Sequence, residues 1–359
     1  MSPSTSGSSS TLTVETFRLG PFLVPRIWTG LWQLSSNAWG TAPVSKIRQE
    51  MAKHVERGYT AFDMPLTGAA DHYGSAEITF GQFRSSLPST QHVLGATKWC
   101  VFKHVTISRS LVMNAVRERM ERMGTTSVDL LQFHWQDYTD CNYLSALQIL
   151  RDLKTEGLIS AIGLCNFDAS RTDEICTQLG PGVIVSNQVQ TGRHFEFSIV
   201  DTRPLHGMAD VCQKHDIKLL TYGTLCGGFL ADKWLGQPEP DLYSGNLTPS
   251  QRKYLDMIVK AWGCWTLFQS LLKTLRIIGD RHGGLSIANI ATRWVLDHPC
   301  VGAVLVGVRL GVSEHVDDNH KAFGFRLTSE DNDDIDAVLA HSNSRTIITS
   351  IGDCGAEYR

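Results

Sequence analysis

Short apolar segments alternate with longer amphipathic segments along most of the chain. The apolar segments are rich in β-branched residues, which predicts eight strands, at residues 26–31, 60–64, 93–97, 128–133, 159–164, 183–188, 217–222 and 303–308. The amphipathic segments space apolar residues three or four apart, which predicts helices, at residues 45–57, 76–85, 108–123, 143–155, 170–178, 205–215, 287–297 and 313–322.

Eight strand–helix units in one chain predict a closed (β/α)8 TIM barrel. An open doubly wound sheet is the alternative, but no G-x-G-x-x-G motif follows the first strand. Residues 231–284 interrupt the seventh βα unit and are expected to be irregular. Long loops at the C-terminal face of a barrel usually carry substrate contacts. A helical pair that only shields the barrel wall is the alternative for this stretch.

Composition narrows the class of protein. The Ser-rich residues 1–12 predict a disordered tail, residues 13–345 one barrel domain with a C-terminal helix, and residues 346–359 a C-terminal tail. A net charge of −3 gives no basic surface for nucleic acid, and no run of ~20 apolar residues predicts a membrane span. Nine scattered cysteines without a C-x-x-C pair favour free thiols in a reducing, cytoplasmic compartment, without a metal site. We expect a monomer or a weak oligomer.

Four residues with the chemistry of carbonyl reduction lie at or near successive strand ends, namely Asp63, Tyr73, Lys98 and His134. In a parallel barrel, chemistry collects at the C-terminal ends of the strands. A tyrosine with its pKa of ~10 is a poor acid unless a nearby ammonium lowers that pKa. Lys98 is predicted to supply the ammonium, Asp63 to hold Lys98, and His134 to orient the substrate oxygen. Tyr73 is then the general acid.

Each of the four has an ordinary interpretation when taken alone. Asp63 suits a helix N-cap, Tyr73 suits surface packing, Lys98 suits a solvated position, and His134 suits the edge of the core. The four in order around consecutive strand ends favour a shared catalytic role.

The order Asp, Tyr, Lys, His at these spacings resembles the aldo-keto reductase family. The resemblance runs from about residue 17 to about residue 339. Its other motifs are DHYGSAE at 71–77, GLCNF at 163–167, NQVQ at 187–190, YGTL at 222–225 with glycines at 227–228, and VGVR at 306–309 running to residue 319. It implies a (β/α)8 barrel that binds a nicotinamide cofactor without a Rossmann fold.

The resemblance also implies roles for the cofactor-binding residues. Asn166 and Gln188 match positions that hold the carboxamide, and Tyr222 matches the aromatic that stacks on the nicotinamide ring. Turn and strand-end hydrogen bonding is the ordinary alternative for Asn166 and Gln188. The remaining matched positions are Gly223 and Leu225 after the seventh strand, and Arg309, His315, Asp318 and Asn319 in the segment for the adenosine phosphate. We expect NADPH as the cofactor, with NADH possible.

Three tryptophans, Trp32, Trp99 and Trp135, lie within two residues of predicted strand ends. We expect them to line the substrate mouth and to favour an apolar or aromatic carbonyl compound or alcohol. Ordinary packing under the long loop is the alternative.

The chain departs from the family pattern at three points. Residues 65–69 look like an insertion between Asp63 and Tyr73, which lie ten positions apart here and about five apart in the family pattern. His315 stands where many NADPH-dependent members have an arginine. Cys165 stands where a serine commonly precedes the asparagine.

These observations favour an NAD(P)H-dependent oxidoreductase that interconverts an aldehyde or ketone and its alcohol. A nicotinamide-binding barrel with a non-redox or regulatory role is the main alternative, since the insertion lies in the loop that must aim Tyr73. Deleting the insertion would then raise reductase activity. A hydrolase or aldolase with a Schiff base on Lys98 is a weaker alternative, because Asp63 beside it disfavours a neutral amine.

Overall fold

The computed structural model describes residues 13–35, 42–65, 74–189, 197–243, 245–313, 315–344, 346–347, 349 and 352–353. The strands are β1 (Thr16–Leu19), β2 (Phe22–Pro25), β3 (Ile27–Gly30), β4 (Ala61–Asp63), β5 (Leu94–Val101), β6 (Val128–Trp135), β7 (Ile159–Cys165), β8 (Ile184–Val189), β9 (Lys218–Tyr222) and β10 (Val301–Gly307). Strands β3 to β10 form a parallel barrel that closes because β10 pairs with both β9 and β3. The predicted (β/α)8 barrel is therefore confirmed.

Helices follow the strands and cover the outside of the barrel. They are α1 (Val44–Glu56), α2 (Gly74–Ser85), α3 (Arg109–Met123), α4 (Tyr143–Thr155), α5 (Ala169–Leu179), α6 (Met208–His215), α7 (Pro249–Met257), α8 (Trp265–Arg281), α9 (Ile287–Asp297), α10 (Val316–His320) and α11 (Ser329–Leu339). Ser108, Asp168 and Ser286 cap the first turns of α3, α5 and α9 with their side chains. No helix in the described ranges combines the length and the apolar character that crossing a membrane requires.

Strands β5 and β6 extend beyond their apolar runs. Their register continues from Lys98 beside Gln132 to Val101 beside Trp135. The predicted ends of these strands, residues 97 and 133, are wrong. The backbone hydrogen bonds between neighbouring strands include polar residues as well as apolar ones, so the strands continue past the apolar runs. Lys98 lies inside its strand, so the alternation of the strand decides which way its side chain points.

This alternation divides the apolar side chains into two layers. A small cluster inside the barrel contains Trp28 and Leu130. A larger cluster between strands and helices contains Phe62 and Phe133. The inner apolar cluster fills the N-terminal half of the barrel, which leaves the C-terminal half to polar side chains.

A hairpin that the pattern did not predict precedes the barrel. Strands β1 and β2 pair antiparallel through a turn at Gly20, whose φ of 54° lies in the left-handed region that favours glycine. Leu19 and Val24 join Trp28 in the inner cluster, so the hairpin closes the N-terminal end of the barrel. Four-residue strands are too short to show a clear periodicity.

The interruption of the seventh unit is largely helical, so the expected irregular stretch is wrong. It contains 3-10 helix Asp232–Trp234, α7, π-helix Ile258–Trp262 and α8. Helix α8 packs against α9 and α11 outside the barrel, as the wall-shielding alternative expects. Helix α7 lies instead against the turn after β9, where a Cβ on Gly227 would meet the Tyr254 ring at 2.7 Å.

A buried hydrogen bond between α1 and β3 makes stability depend on pH. Nδ1 of His54 lies 2.9 Å from Oγ1 of Thr29, and burial lowers the pKa of His54 to about 4. The unfolded histidine protonates below about pH 6.5. The folded state therefore keeps the full contribution of the neutral ring above pH 6.5 and loses it as the pH falls towards 4.

We therefore expect the free energy of unfolding to fall by about 3 kcal/mol between pH 6.5 and pH 4 on account of His54, since a tenfold change in proton affinity corresponds to about 1.4 kcal/mol. Urea unfolding across this range measures it, with His54→Leu as the comparison. The variant is expected to have a flatter profile, with a residual slope from His298, whose pKa burial also lowers. Equal slopes in the two proteins would contradict the assignment.

Candidate active site

Asp63 and Lys98 form an ion pair inside the C-terminal end of the barrel, here called the barrel mouth. Asp63 ends β4 and Lys98 lies on neighbouring β5. The Lys98 ammonium donates to Oδ1 of Asp63 at 2.7 Å, to Oδ2 at 2.8 Å and to the Met64 carbonyl at 2.6 Å. The Lys98 side chain is 3% exposed and that of Asp63 12%. Three acceptors around the nitrogen favour the cation over the neutral amine that a Schiff base needs.

Two buried amides complete the surroundings of Asp63. Gln132 on β6 donates from Nε2 to Oδ1 of Asp63 at 2.9 Å. Gln188 on β8 donates from Nε2 to the same oxygen at 2.8 Å. Together with Lys98, the carboxylate collects donors from three strands. Charge-assisted hydrogen bonds of this kind stabilise the ionised carboxylate and hold it in one orientation.

His134 lies on β6, two residues beyond Gln132 on the same face of the strand. Its Nδ1 is 2.9 Å from the Cys165 carbonyl oxygen and its Nε2 is 3.2 Å from Oε1 of Gln136. Because a carbonyl oxygen only accepts, Nδ1 carries a proton and donates. The Gln136 amide oxygen that Nε2 faces is also an acceptor, so Nε2 donates to it only when the ring is protonated. In the neutral ring with a proton on Nδ1, Nε2 carries a lone pair.

Tyr73 lies outside the described residues, as do residues 66–69 of the insertion. Helix α2 begins at Gly74, the residue after Tyr73. The structure thus brings Asp63, Lys98 and His134 to the barrel mouth, and the role of Tyr73 stays a prediction.

The three tryptophans are not placed together. Trp32 stands in a 3-10 helix after β3 and is 42% exposed. Trp99 and Trp135 are buried in the outer layer, where both pack on Phe133 with ring centroids 5.1 and 6.0 Å away. Each follows an inward-facing residue directly, so the alternation turns it outwards. The predicted pocket position does not fit these two tryptophans, because they face the helices.

Sequence reasoning missed Gln132, Cys100 and Phe102. Alternation places Cys100 on the inward face with Lys98, and burial raises the pKa of its thiol. Phe102 follows β5 directly, is 42% exposed, and has its ring centroid 5.4 Å from that of His134. Side chains two positions apart in a strand point to the same face, so Lys98 and His134 indicate that Cys100 and Gln132 also face inwards. The position of Phe102 depends on a loop.

The amide and aromatic positions proposed for a nicotinamide follow one another around the mouth. Asn166 directly follows β7 with a φ of 62°, and its backbone N–H donates to the Gln188 carbonyl at 2.9 Å. Oε1 of Gln188 is an acceptor, and Sγ of Cys165 donates to it at 4.0 Å. Tyr222 ends β9, and a turn from Gly223 to residue 228 follows it. An amide, a second amide and an aromatic ring on successive strand ends suit a carboxamide attached to an aromatic ring.

Residues 309–319 follow the last strand. Nε of Arg309 donates to Oγ of Ser313 at 3.1 Å across a tight turn. Because Ser313 belongs to this turn, the helix predicted at 313–322 is shorter and corresponds to α10. His315 precedes α10, and Asn319 donates its backbone N–H to the His315 carbonyl. The carboxylate of Asp318 accepts a hydrogen bond from Oγ of Ser286 at 3.1 Å and pairs with the Lys321 ammonium at 3.3 Å. Arg309 is exposed and places a positive charge shortly before α10.

Comparison with known proteins agrees with this geometry. A family model described as the aldo/keto reductase family matches residues 26–340. The aldo-keto reductase YhdN of Bacillus subtilis (strain 168) is 24% identical over 328 residues, which cover 89% of this chain and 91% of that protein. The NADH-specific methylglyoxal reductase of Escherichia coli (strain K12) is 23% identical over 286 residues, which cover 74% of this chain and 79% of that protein.

A solved structure shares the fold. The aldo/keto reductase from Klebsiella pneumoniae in complex with NADP and acetate aligns with a TM-score of 0.65 at 20% identity, covering 91% of this chain and 96% of that one. The family model spans most of the chain and the barrel has the family's architecture, so the chain belongs to the aldo/keto reductase family of NAD(P)-dependent oxidoreductases.

Proposed function

We propose that the barrel mouth interconverts an aldehyde or ketone and its alcohol, with Tyr73 as the proton donor. The observation that carries this proposal is the buried Lys98–Asp63 ion pair near His134, where the neighbouring strands β4, β5 and β6 lie side by side. When bound, NAD(P)H supplies the hydride. The residues of the chain then hold the substrate oxygen and manage the proton.

Lys98 keeps a positive charge at the mouth. Its hydrogen bonds to Asp63 and to the Met64 carbonyl fix the nitrogen, and the low exposure of its side chain strengthens its field. A fixed cation stabilises a tyrosinate next to it and so lowers the pKa of that tyrosine. This makes Tyr73 acidic enough to protonate a developing alkoxide near neutral pH.

His134 orients the substrate oxygen through Nε2. With Nδ1 donating to Cys165, the neutral ring accepts a hydrogen bond from the hydroxyl of an alcohol, and the protonated ring donates one to a carbonyl oxygen. The same side chain therefore serves both directions of the reaction.

The proposed cofactor site runs from β7 to the segment after β10. Asn166 and Gln188 would hold the carboxamide, Tyr222 would cover one face of the ring, and Arg309 would meet a phosphate. Gly223, Leu225, His315, Asp318 and Asn319 are proposed to complete this site. NADPH is favoured by the exposed Arg309 and by the NADP bound in the Klebsiella pneumoniae relative. NADH is favoured by the Escherichia coli relative, which is an NADH-specific methylglyoxal reductase.

Trp32 and Phe102 are proposed to contact the substrate. Both are large, apolar and half exposed beside the mouth, and Phe102 lies against the histidine that orients the reacting oxygen. Such surfaces favour an apolar or aromatic carbonyl compound. Cys100 places a small thiol two residues from Lys98 on the same face of β5.

Tyr73→Phe is expected to lower kcat by about 100- to 10,000-fold, because the general acid is lost. Cofactor binding should stay within about twofold of wild type, since the cofactor contacts are made elsewhere. Absorbance of the reduced nicotinamide measures turnover, and quenching of tryptophan fluorescence measures binding. Tyr243→Phe, the same substitution at a side chain that is 89% exposed, is the control. Full activity in Tyr73→Phe would contradict the assignment.

Phe102→Ala is expected to raise KM for aromatic aldehydes about tenfold while leaving kcat and small aliphatic aldehydes nearly unchanged. The reason is that the ring contacts the substrate body and not the reacting oxygen. A panel of aldehydes of increasing size gives the measurement. Ile277→Ala, at a side chain of helix α8 that is 58% exposed, removes similar apolar surface away from the mouth. An equal loss for all aldehydes would argue against a role of Phe102 in specificity.

A further inference from the structure

A buried carboxylate ties helix α2 to the strand that carries Lys98. Glu77 lies in the first turn of α2 and is 1% exposed. Its Oε1 accepts a hydrogen bond from the hydroxyl of Thr97, which is fully buried and directly precedes Lys98 on β5. One hydrogen bond therefore joins the start of a helix to the neighbour of the proposed catalytic lysine.

Helix α3 supports the same contact from behind. Nη1 of Arg122 lies 3.3 Å from Oε2 of Glu77, so both carboxylate oxygens are engaged and the buried charge is balanced. One turn earlier, Nε of Arg119 donates to the Lys98 carbonyl at 2.8 Å. Two arginines of α3 thus brace the first turn of α2 and the backbone of Lys98 together.

The position of Glu77 along the chain gives this contact its significance. It lies four residues after Tyr73 in sequence, and the inserted residues 65–69 lie on the other side of Tyr73, between it and Asp63. Helix α2 begins at Gly74, the residue after Tyr73, so Glu77 anchors the helix whose backbone continues directly from the tyrosine.

We propose that Glu77 and Thr97 are positioning residues, which set the place of Tyr73 relative to Lys98 across α2 and β5. This inference rests on the proposed function. It accounts for an insertion before Tyr73 in a chain that keeps the other catalytic groups, because the tyrosine is placed from the helix that follows it.

Stability alone does not account for Glu77. Helix α2 is held independently by Phe80 and Phe83, whose rings pack on Phe62 at 5.6 and 5.7 Å. At its last turn, Arg84 pairs with Asp129 at 2.8 Å. Burying a carboxylate costs free energy that an apolar side chain would not. A charged group at this position therefore indicates a requirement for direction and distance.

The test compares two contacts of helix α2, the hydrogen bond of Glu77 with Thr97 at its first turn and the ion pair of Arg84 with Asp129 at its last turn. Thr97→Val keeps the size of the side chain but removes the hydroxyl that Glu77 accepts from, and Thr97→Ser keeps the hydroxyl. We expect Thr97→Val to lower kcat by about 10- to 100-fold, as a catalytic group displaced by ~1 Å would. The Kd of the cofactor, measured by tryptophan fluorescence, should change by no more than about twofold. Thr97→Ser should recover most of kcat.

Arg84→Met is the matched control, since it removes an ion pair of α2 far from Tyr73. It should lower the melting temperature with kcat unchanged. If Thr97→Val also lowers only the melting temperature, the contact is structural and the inference fails. Wild-type protein that turns over no carbonyl compound, or a Tyr73→Phe variant that stays active, would reject the proposed function itself and this inference with it.

Discussion

A cation and an anion buried side by side at the barrel mouth impose requirements on the residues around them. Taking Lys98 and Asp63 out of water costs several kcal/mol for each ion, and hydrogen bonds must offset that cost. The Met64 carbonyl and the amides of Gln132 and Gln188 supply these bonds. The interior of the barrel is therefore polar near the mouth and apolar below, where the unpredicted hairpin closes the opposite end.

The sequence predicts the barrel well because short apolar runs, typical of buried strands, alternate with segments whose apolar residues have helical spacing. It also predicts that Asp63, Lys98 and His134 meet, because the C-terminal ends of parallel strands share one face. Which neighbours turn inwards follows from the alternation along each strand and not from closeness in sequence. Trp99 and Trp135 stand beside the proposed catalytic positions in sequence but face the helices, since one step along a strand reverses the side chain.

Other features depend on contacts between distant parts of the chain. The pattern marks 231–284 as an interruption, but α8 becomes a helix against α9 and α11, which lie later in sequence. Phe102 reaches His134 through a loop whose path no local pattern specifies. Alternation places Gln132 on the inward face of β6, but its hydrogen bond to Asp63 reaches past β5 to β4 and so depends on the assembled barrel.

The four proposed catalytic groups are held by two different means. Asp63, Lys98 and His134 sit on strands, where hydrogen bonds between neighbours leave the backbone little freedom. Tyr73 lies outside the described residues, and α2 begins one residue later in sequence. The first turn of α2 is fixed to β5 by the hydrogen bond between Glu77 and Thr97. The rigid element next to the proposed general acid in sequence is therefore held against the same strand that carries Lys98, which lets one short contact relate a helix to a strand across the barrel wall.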